Sequence, residues 1–226
     1  KNLDKRSNST TSGGWSQNVF SVGNAKIYFT GQVTKLFQFY GEFDQEKSAP
    51  LSEAGINLAF AKEFQVLAGK IRKPFTRADL TSGYAQLIPT PYFYTGDFSS
   101  IRDIPTSTSG VFNIFTDQGT EEGVMIHGDL AGGVITYRAG VYNNDRRDEK
   151  YKGFEWAARV EFQPLMLGFK PESAATITSK IGDTYLGQKD IFVIGLGYRS
   201  YKNVDKTTDG WTIDATFEKK YGNLVP

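Results

Sequence analysis

The chain has 226 residues with 26 Lys and Arg against 25 Asp and Glu, and this net charge of +1 gives no reason to expect nucleic acid. Cysteine is absent, which excludes a disulfide framework and thiolate chemistry without fixing a compartment. No apolar run approaches the ~18–20 residues of a membrane helix, and mean hydropathy is -0.40, yet neither excludes a membrane β-barrel, whose strands hide apolar residues in alternation.

Residues 1–14 (KNLDKRSNSTTSGG) are polar and low in complexity, and read as a flexible lead. Asn8-Ser9-Thr10 fits a glycosylation sequon, a triplet common by chance in Ser/Thr-rich tails. The lead lacks the apolar core of a secretory signal, so either the signal is removed on maturation or the protein is not exported. Period-two patterning then begins, which places successive side chains on opposite faces of a strand. Ala25–Val33 sets Ile27, Phe29 and Val33 against Lys26, Tyr28, Thr30 and Gln32. Leu36–Asp44 sets Phe37, Phe39 and Phe43 against Gln38, Tyr40, Glu42 and Asp44. Glu53–Phe60 sets Ala54, Ile56, Leu58 and Phe60 against Glu53 and Asn57. Phe64–Ala68 continues with Phe64, Val66 and Ala68.

Further on, Gly123–Leu130 opposes Val124, Ile126 and Leu130 to Met125, His127 and Asp129. Ile135–Tyr142 opposes Ile135, Tyr137, Ala139 and Val141 to Thr136, Arg138 and Tyr142. Phe154–Phe162, Phe192–Tyr201 and Trp211–Glu218 complete the set, the first with Glu155, Arg159 and Glu161 on its wet beat. This gives roughly nine strands, each near the ~9–11 residues of a tilted spanning strand. Aromatics make up 14% of the chain, a load that suits both an all-β protein and the girdles of a membrane barrel.

Connections alternate in length. Thr34-Lys35, Ala61-Lys62-Glu63 and Ala131-Gly132-Gly133 are tight turns, whereas Gln45–Ser52, the stretch after Pro74 and Asn143–Gly153 are longer loops. That asymmetry is the habit of outer-membrane barrels. The gap from Lys73 to Glu122 holds four Pro and little periodicity, and so long a loop points to function. Residues 163–190 break the rule, being long where a short turn is due, and the sequence offers no physical account of them.

Four motifs in order resemble the phosphate-selective porin O and P family: Ala25–Thr34; Phe64–Phe75 (FQVLAGKIRKPF) followed by Leu80-Thr81-Ser82; Gly123–Leu130 (GVMIHGDL); and Tyr137–Asn143 followed by Trp156–Leu165. The resemblance covers about residues 20–218. It implies an all-β fold, an antiparallel transmembrane β-barrel of sixteen strands in the bacterial outer membrane, of which this chain supplies about nine. Residues 15–226 are then the barrel domain, incomplete at its C-terminus, because Asn223-Leu224-Val225-Pro226 lacks the usual terminal aromatic. Residues 74–122 are expected to fold inward as a constriction loop. The family's Arg-Asp-Ile element runs straight into the Gly-Val-Met strand. Here Arg102-Asp103-Ile104 is separated from Gly123 by an apparent insertion.

The implied activity is passive diffusion of small solutes, phosphate-like anions above all, through a homotrimer in a lipid bilayer, without catalysis or cofactor. Lys70, Arg72, Lys73 and Arg77 lie where a strand feeds the long loop, and such cations at a narrowing attract and partly dehydrate anions. Lys70 and Arg72 share the parity of Val66 and Ala68, the lipid beat, unless a bulge at Gly69 turns them inward. Arg102, Arg138 and Arg159 complete the anion-selecting set, and Arg199 also falls on a wet face. Against a basic wall stand Glu42, Asp44, Glu53, Asp129, Glu155, Glu161, Asp214 and Glu218 on the same side, which point to mixed charge pairing.

Other signals are weaker. His127, the only histidine, has no partners at ligand or general-base spacing and reads as structural. Asn143–Asp148 lacks the EF-hand pattern and reads as a solvated loop. Gly195-Leu196-Gly197 lacks the third glycine and the helix of a dinucleotide fingerprint. An enzyme of the barrel-lipase type needs a Ser/His/Asp set that is not evident. The rival reading is a soluble or periplasmic β-barrel or sandwich with its apolar faces turned inward onto an apolar ligand. Alternation alone is indifferent between the two orientations; turn lengths and the ordered motifs favour lipid outside.

Overall fold

A computed structural model describes residues 25–44, 50–81, 120–143, 153–181, 189–203 and 206–220. The expected lead 1–14 with its sequon, Arg102-Asp103-Ile104, residues 82–119 of the long loop, Asn144–Asp148 and the last four residues lie outside them.

Among the described residues, nine strands form one antiparallel sheet in chain order: β1 Lys26–Gln32, β2 Phe37–Asp44, β3 Leu51–Ala59, β4 Gln65–Arg72, β5 Thr120–Leu130, β6 Ile135–Asn143, β7 Phe154–Phe162, β8 Ile191–Asn203 and β9 Lys206–Glu218. Every described strand pairs with its sequence neighbours, and the tight turns set the β1–β2, β3–β4 and β5–β6 registers. Thr34 secures the first turn by accepting the Phe37 amide on its Oγ1 at 2.9 Å. Among the described residues β1 and β9 do not pair with each other, and the sheet is open there. No described helix is long and apolar enough to cross a membrane.

Several strands run past the sequence expectation, β4 and β9 furthest. β4 continues past Ala68 to Arg72, because Gly69, Lys70 and Ile71 are held in register by β5. β9 begins at Lys206 rather than Trp211, because β8 supplies a partner for every residue back to Asn203. In both cases pairing overrides polar local composition.

The alternation resolves into two unlike faces. Apolar residues of one beat are exposed, including Val124 at 50%, Trp156 at 57% and Leu196 at 48%. The opposite beat is covered, with His127 at 0%, Arg159 at 1% and Glu161 at 2%. The apolar side therefore faces out and the polar side in, the reverse of a water-soluble sheet packed on an apolar core.

Among the described residues, two segments cover the polar face, one from each end of the strands. Past Arg72 the chain turns in through Pro74 to a single helical turn, α1 Arg77–Leu80. A capping box starts it: Thr76 Oγ1 accepts the Asp79 amide at 3.0 Å, and Asp79 Oδ2 accepts the Thr76 amide at 2.9 Å. From the tight-turn end, Phe162 leads into a 3-10 turn at Leu165–Leu167, and residues 172–181 then run back across the polar face. The two segments meet where Ile181 donates its amide to the Leu80 carbonyl at 2.9 Å and bridges Thr81 in parallel.

Residues 163–181 are thus an inward strap, which explains a connection too long for a turn. Gln163 anchors its return by donating to the Glu172 carbonyl and accepting the Glu172 amide, both at 2.7 Å. Farther along, Ile177 packs on an apolar patch of the inner beat formed by Tyr40, Leu67, Ile71, Met125, Tyr142 and Ala157.

Candidate functional site: a covered face of paired charges

Arg159, on β7, is the centre of the largest cluster. Its Nε donates to Glu161 at 2.9 Å, its two terminal nitrogens donate to the Asp214 carboxylate at 2.7 and 2.6 Å, and one of them also reaches the Phe75 carbonyl at 3.2 Å. This fork geometry is what a guanidinium provides and an ammonium does not. Arg77, delivered by α1, pairs with Glu172 of the strap at 2.5 Å and lies 3.5 Å from Glu161. Arg138 also lies 3.5 Å from Glu161, and Lys189 holds Glu172 at 2.8 Å. Strand wall, loop and strap are therefore joined by one charge network.

Gly195 and Gly197 gain a role here that a nucleotide motif does not describe. A Cβ at Gly195 would lie 2.0 Å from the Arg159 guanidinium, and one at Gly197 would lie 2.1 Å from the Phe75 carbonyl. The two glycines make room on β8 for the arginine and for the inward loop. Gly197→Ala is expected to cost about 1–3 kcal/mol, the usual scale of overpacking. The measurement is a guanidinium titration of the detergent-solubilised protein; an unchanged midpoint would show that the loop does not press on β8.

A second cluster sits at the long-loop end. Glu42 pairs with Lys26 at 2.7 Å and with Lys180 of the strap, whose Nζ is also 5.0 Å from the Tyr28 ring. Glu53 pairs with Arg72 at 2.7 Å and lies 3.4 Å from Lys180. Arg72 further donates to the carbonyls of Asp79 and Thr81 at 2.8 and 3.2 Å. Glu155 stands between Lys73 at 3.2 Å and Arg199.

The predicted cations therefore divide. Arg72, Lys73, Arg77, Arg138, Arg159 and Arg199 come together on the covered face, each beside a carboxylate. Lys70 does not join them. The ladders to β3 and β5 pass through Gly69 without a shift in register, so the bulge that would turn Lys70 inward is absent and Lys70 keeps the parity of Val66 and Ala68. Its Nζ donates to the Leu51 carbonyl at 2.6 Å instead. Arg72 reaches inward because the strand ends there and the chain turns. Gly69 is needed for close approach: it has φ +148°, and a Cβ would lie 2.1 Å from the Ala54 carbonyl.

His127 joins wall to strap. Its Nδ1 donates to the Ala174 carbonyl at 2.8 Å and its Nε2 lies 3.0 Å from the Asn57 amide oxygen, while Asn57 donates to Gln38 and Gln65. Both ring nitrogens are thus engaged in structural contacts. Sequence reasoning missed Glu172, Lys180 and Ser179, whose hydroxyl accepts the Arg72 amide at 3.1 Å and donates to Glu53 at 3.2 Å; all three come from a segment without periodicity. The signal that was present is the intrusion of Leu67, Ile71, Met125 and Tyr142 on a beat otherwise polar, a landing patch for a covering segment.

Comparison with known families matches residues 4–219 to the phosphate-selective porin O and P family. An uncharacterized protein of Aquifex aeolicus (strain VF5) is 27% identical over 197 residues, covering 74% of this chain and 40% of the relative. The match thus spans less than half of that relative's length. No solved structure matches.

Proposed function

The chain belongs to the phosphate-selective porin O and P family, and from that premise we propose that it forms part of the wall of an outer-membrane porin. Small solutes, phosphate-like anions among them, would diffuse passively along its polar face. The observation that carries the reading is the orientation of the sheet: apolar side chains exposed on one side, charges covered on the other. Lipid satisfies the first side, and the second faces a lumen into which the loop and the strap fold. The inverted rival, with apolar faces turned inward onto a ligand, does not match that arrangement. In this proposal residues 15–226 belong to the barrel, 74–122 narrow it, and further strands continue the sheet beyond its open edges in a homotrimer. The test is extraction. Protein that stays in solution after a high-speed spin without detergent would sink the reading.

Selectivity in this proposal is a balance between paired charges. An anion at the narrowing would be attracted by the positive charges of Arg72, Lys73 and Arg77, while their carboxylate partners oppose it. Replacing a cation does more than delete attraction, because it also releases a carboxylate. Arg77→Gln leaves both Glu161 and Glu172 without that partner. It is expected to lower the anion/cation permeability ratio about five-fold, the equivalent of roughly 1 kcal/mol. Arg72→Gln acts in the same direction through Glu53, and Lys70→Gln, on the outer beat, least. Reversal potentials in a planar bilayer under a salt gradient give the ratios. If neutralising Lys70, Arg72 and Arg77 together leaves the ratio unchanged, the anion-selecting assignment fails.

A further inference from the structure

The strap does not enter the polar face directly from β7. It first makes an elbow on the outer side, and that elbow has the chemistry of a lipid contact. The 3-10 turn presents Met166 and Leu167 to the outside at 77% and 66% exposure. Gly168, at φ +87°, then reverses the chain. Phe169 lands edge-on against Phe192 and Phe217, with ring centroids 5.8 Å from each. These two phenylalanines belong to the exposed apolar beat of β8 and β9, so the elbow is continuous with the outer surface of the sheet.

Lysines stand at the aromatic base of this elbow. Lys219 lies with its Nζ 5.8 Å from the Phe169 ring centroid and 3.1 Å from Asp190. Lys170 and Lys220 are exposed beside it, and their backbone amides donate to the Asp190 carbonyl and carboxylate. Three lysines therefore stand around one carboxylate. The Lys220 amide and the Lys219 ammonium hold that carboxylate below its usual range. Two bare aliphatic side chains, an aromatic base and a net positive collar match the boundary between acyl chains and anionic headgroups.

We propose that the elbow at residues 164–170 is a lipid anchor, in which Met166 and Leu167 insert among acyl chains and Lys170, Lys219 and Lys220 hold the phosphates of anionic phospholipid. The anchor rests on the porin reading above. It would tie the root of the inward strap to the leaflet at the tight-turn end.

The absence of cysteine permits a clean test. Met166→Cys, Val160→Cys on the outer beat and Lys62→Cys in a tight turn are each spin-labelled in the full chain. Each is reconstituted into vesicles of phosphatidylethanolamine and phosphatidylglycerol. The label at 166 is expected to collide with oxygen in preference to a water-soluble nickel chelate, as the label at 160 does and the label at 62 does not. Replacing Lys170, Lys219 and Lys220 with Gln is expected to move it toward the chelate. A label at 166 that behaves like the one at 62, or one broadened by a second label from a neighbouring copy, overturns the anchor while the label at 160 upholds the porin reading. If the label at 160 also prefers the chelate, the porin reading fails and the anchor falls with it.

Discussion

Replacing Arg159 with Met is expected to destabilise the sheet by about 3–5 kcal/mol, the scale of breaking a buried ion pair from one side. Arg159 is 1% exposed, and its guanidinium serves two carboxylates and one carbonyl. Methionine fills much of the volume but donates nothing. Asp214 then loses both of its short bonds, and the Phe75 carbonyl loses its donor beside Gly197. Glu161 suffers less, because Arg77, Arg138 and Thr136 remain near it. This asymmetry gives the control. Adding Asp214→Asn should recover part of the loss, whereas adding Glu161→Gln should recover little or worsen it, since two arginines would then lack their shared partner. Unfolding midpoints in detergent, followed by tryptophan fluorescence, read all three proteins. Equal effects of the second substitutions would show that the cluster does not act as drawn.

Much of this arrangement is legible in the residues. β7 is an instance: Phe154, Trp156, Val160 and Phe162 on one beat and Glu155, Arg159 and Glu161 on the other already contain both faces of the sheet. The mixed signs on the wet beat already pointed to pairing rather than a basic wall. What periodicity does not carry is which carboxylate meets which cation. Arg77 finds Glu172 across 95 positions of sequence because two aperiodic segments from opposite ends of the strands cover the same face. Lys70 shows the complementary limit. Its neighbours Lys73 and Arg77 made it look like part of one cluster, but one residue of parity puts it on the other side. The glycines of β8 were unreadable for a similar reason, because the atoms that require them belong to β7 and to the inward loop.

The strap offers the second large effect, because one carboxylate receives three of the groups that dock it. Asp129, at the tight-turn end of β5, accepts the backbone amides of Ala174 and Ala175 at 2.6 and 3.3 Å and the Ser173 hydroxyl. Hydrogen bonds to a charged acceptor contribute about 1.5–3 kcal/mol each. Asp129→Ala is therefore expected to weaken docking by roughly 3–5 kcal/mol and to raise the undocked population by about two orders of magnitude or more. The strands should survive, since the side chain lies outside the ladder hydrogen bonds. The first expected sign is faster hydrogen exchange at Ile181, whose acceptor is the Leu80 carbonyl and is untouched by the substitution, with the amides of β5 and β6 unchanged. The second is a higher single-channel conductance, because the strap occupies the polar face along which ions are proposed to move. Joining Thr81 to Ile181 with a bifunctional maleimide through introduced cysteines should restore both, since those residues bridge the two inward segments. Faster exchange without a change in conductance would mean that the strap braces the wall but does not narrow the path. Slow exchange in Asp129→Ala would mean that the Ile177 patch and the Lys180 pairs hold the strap by themselves.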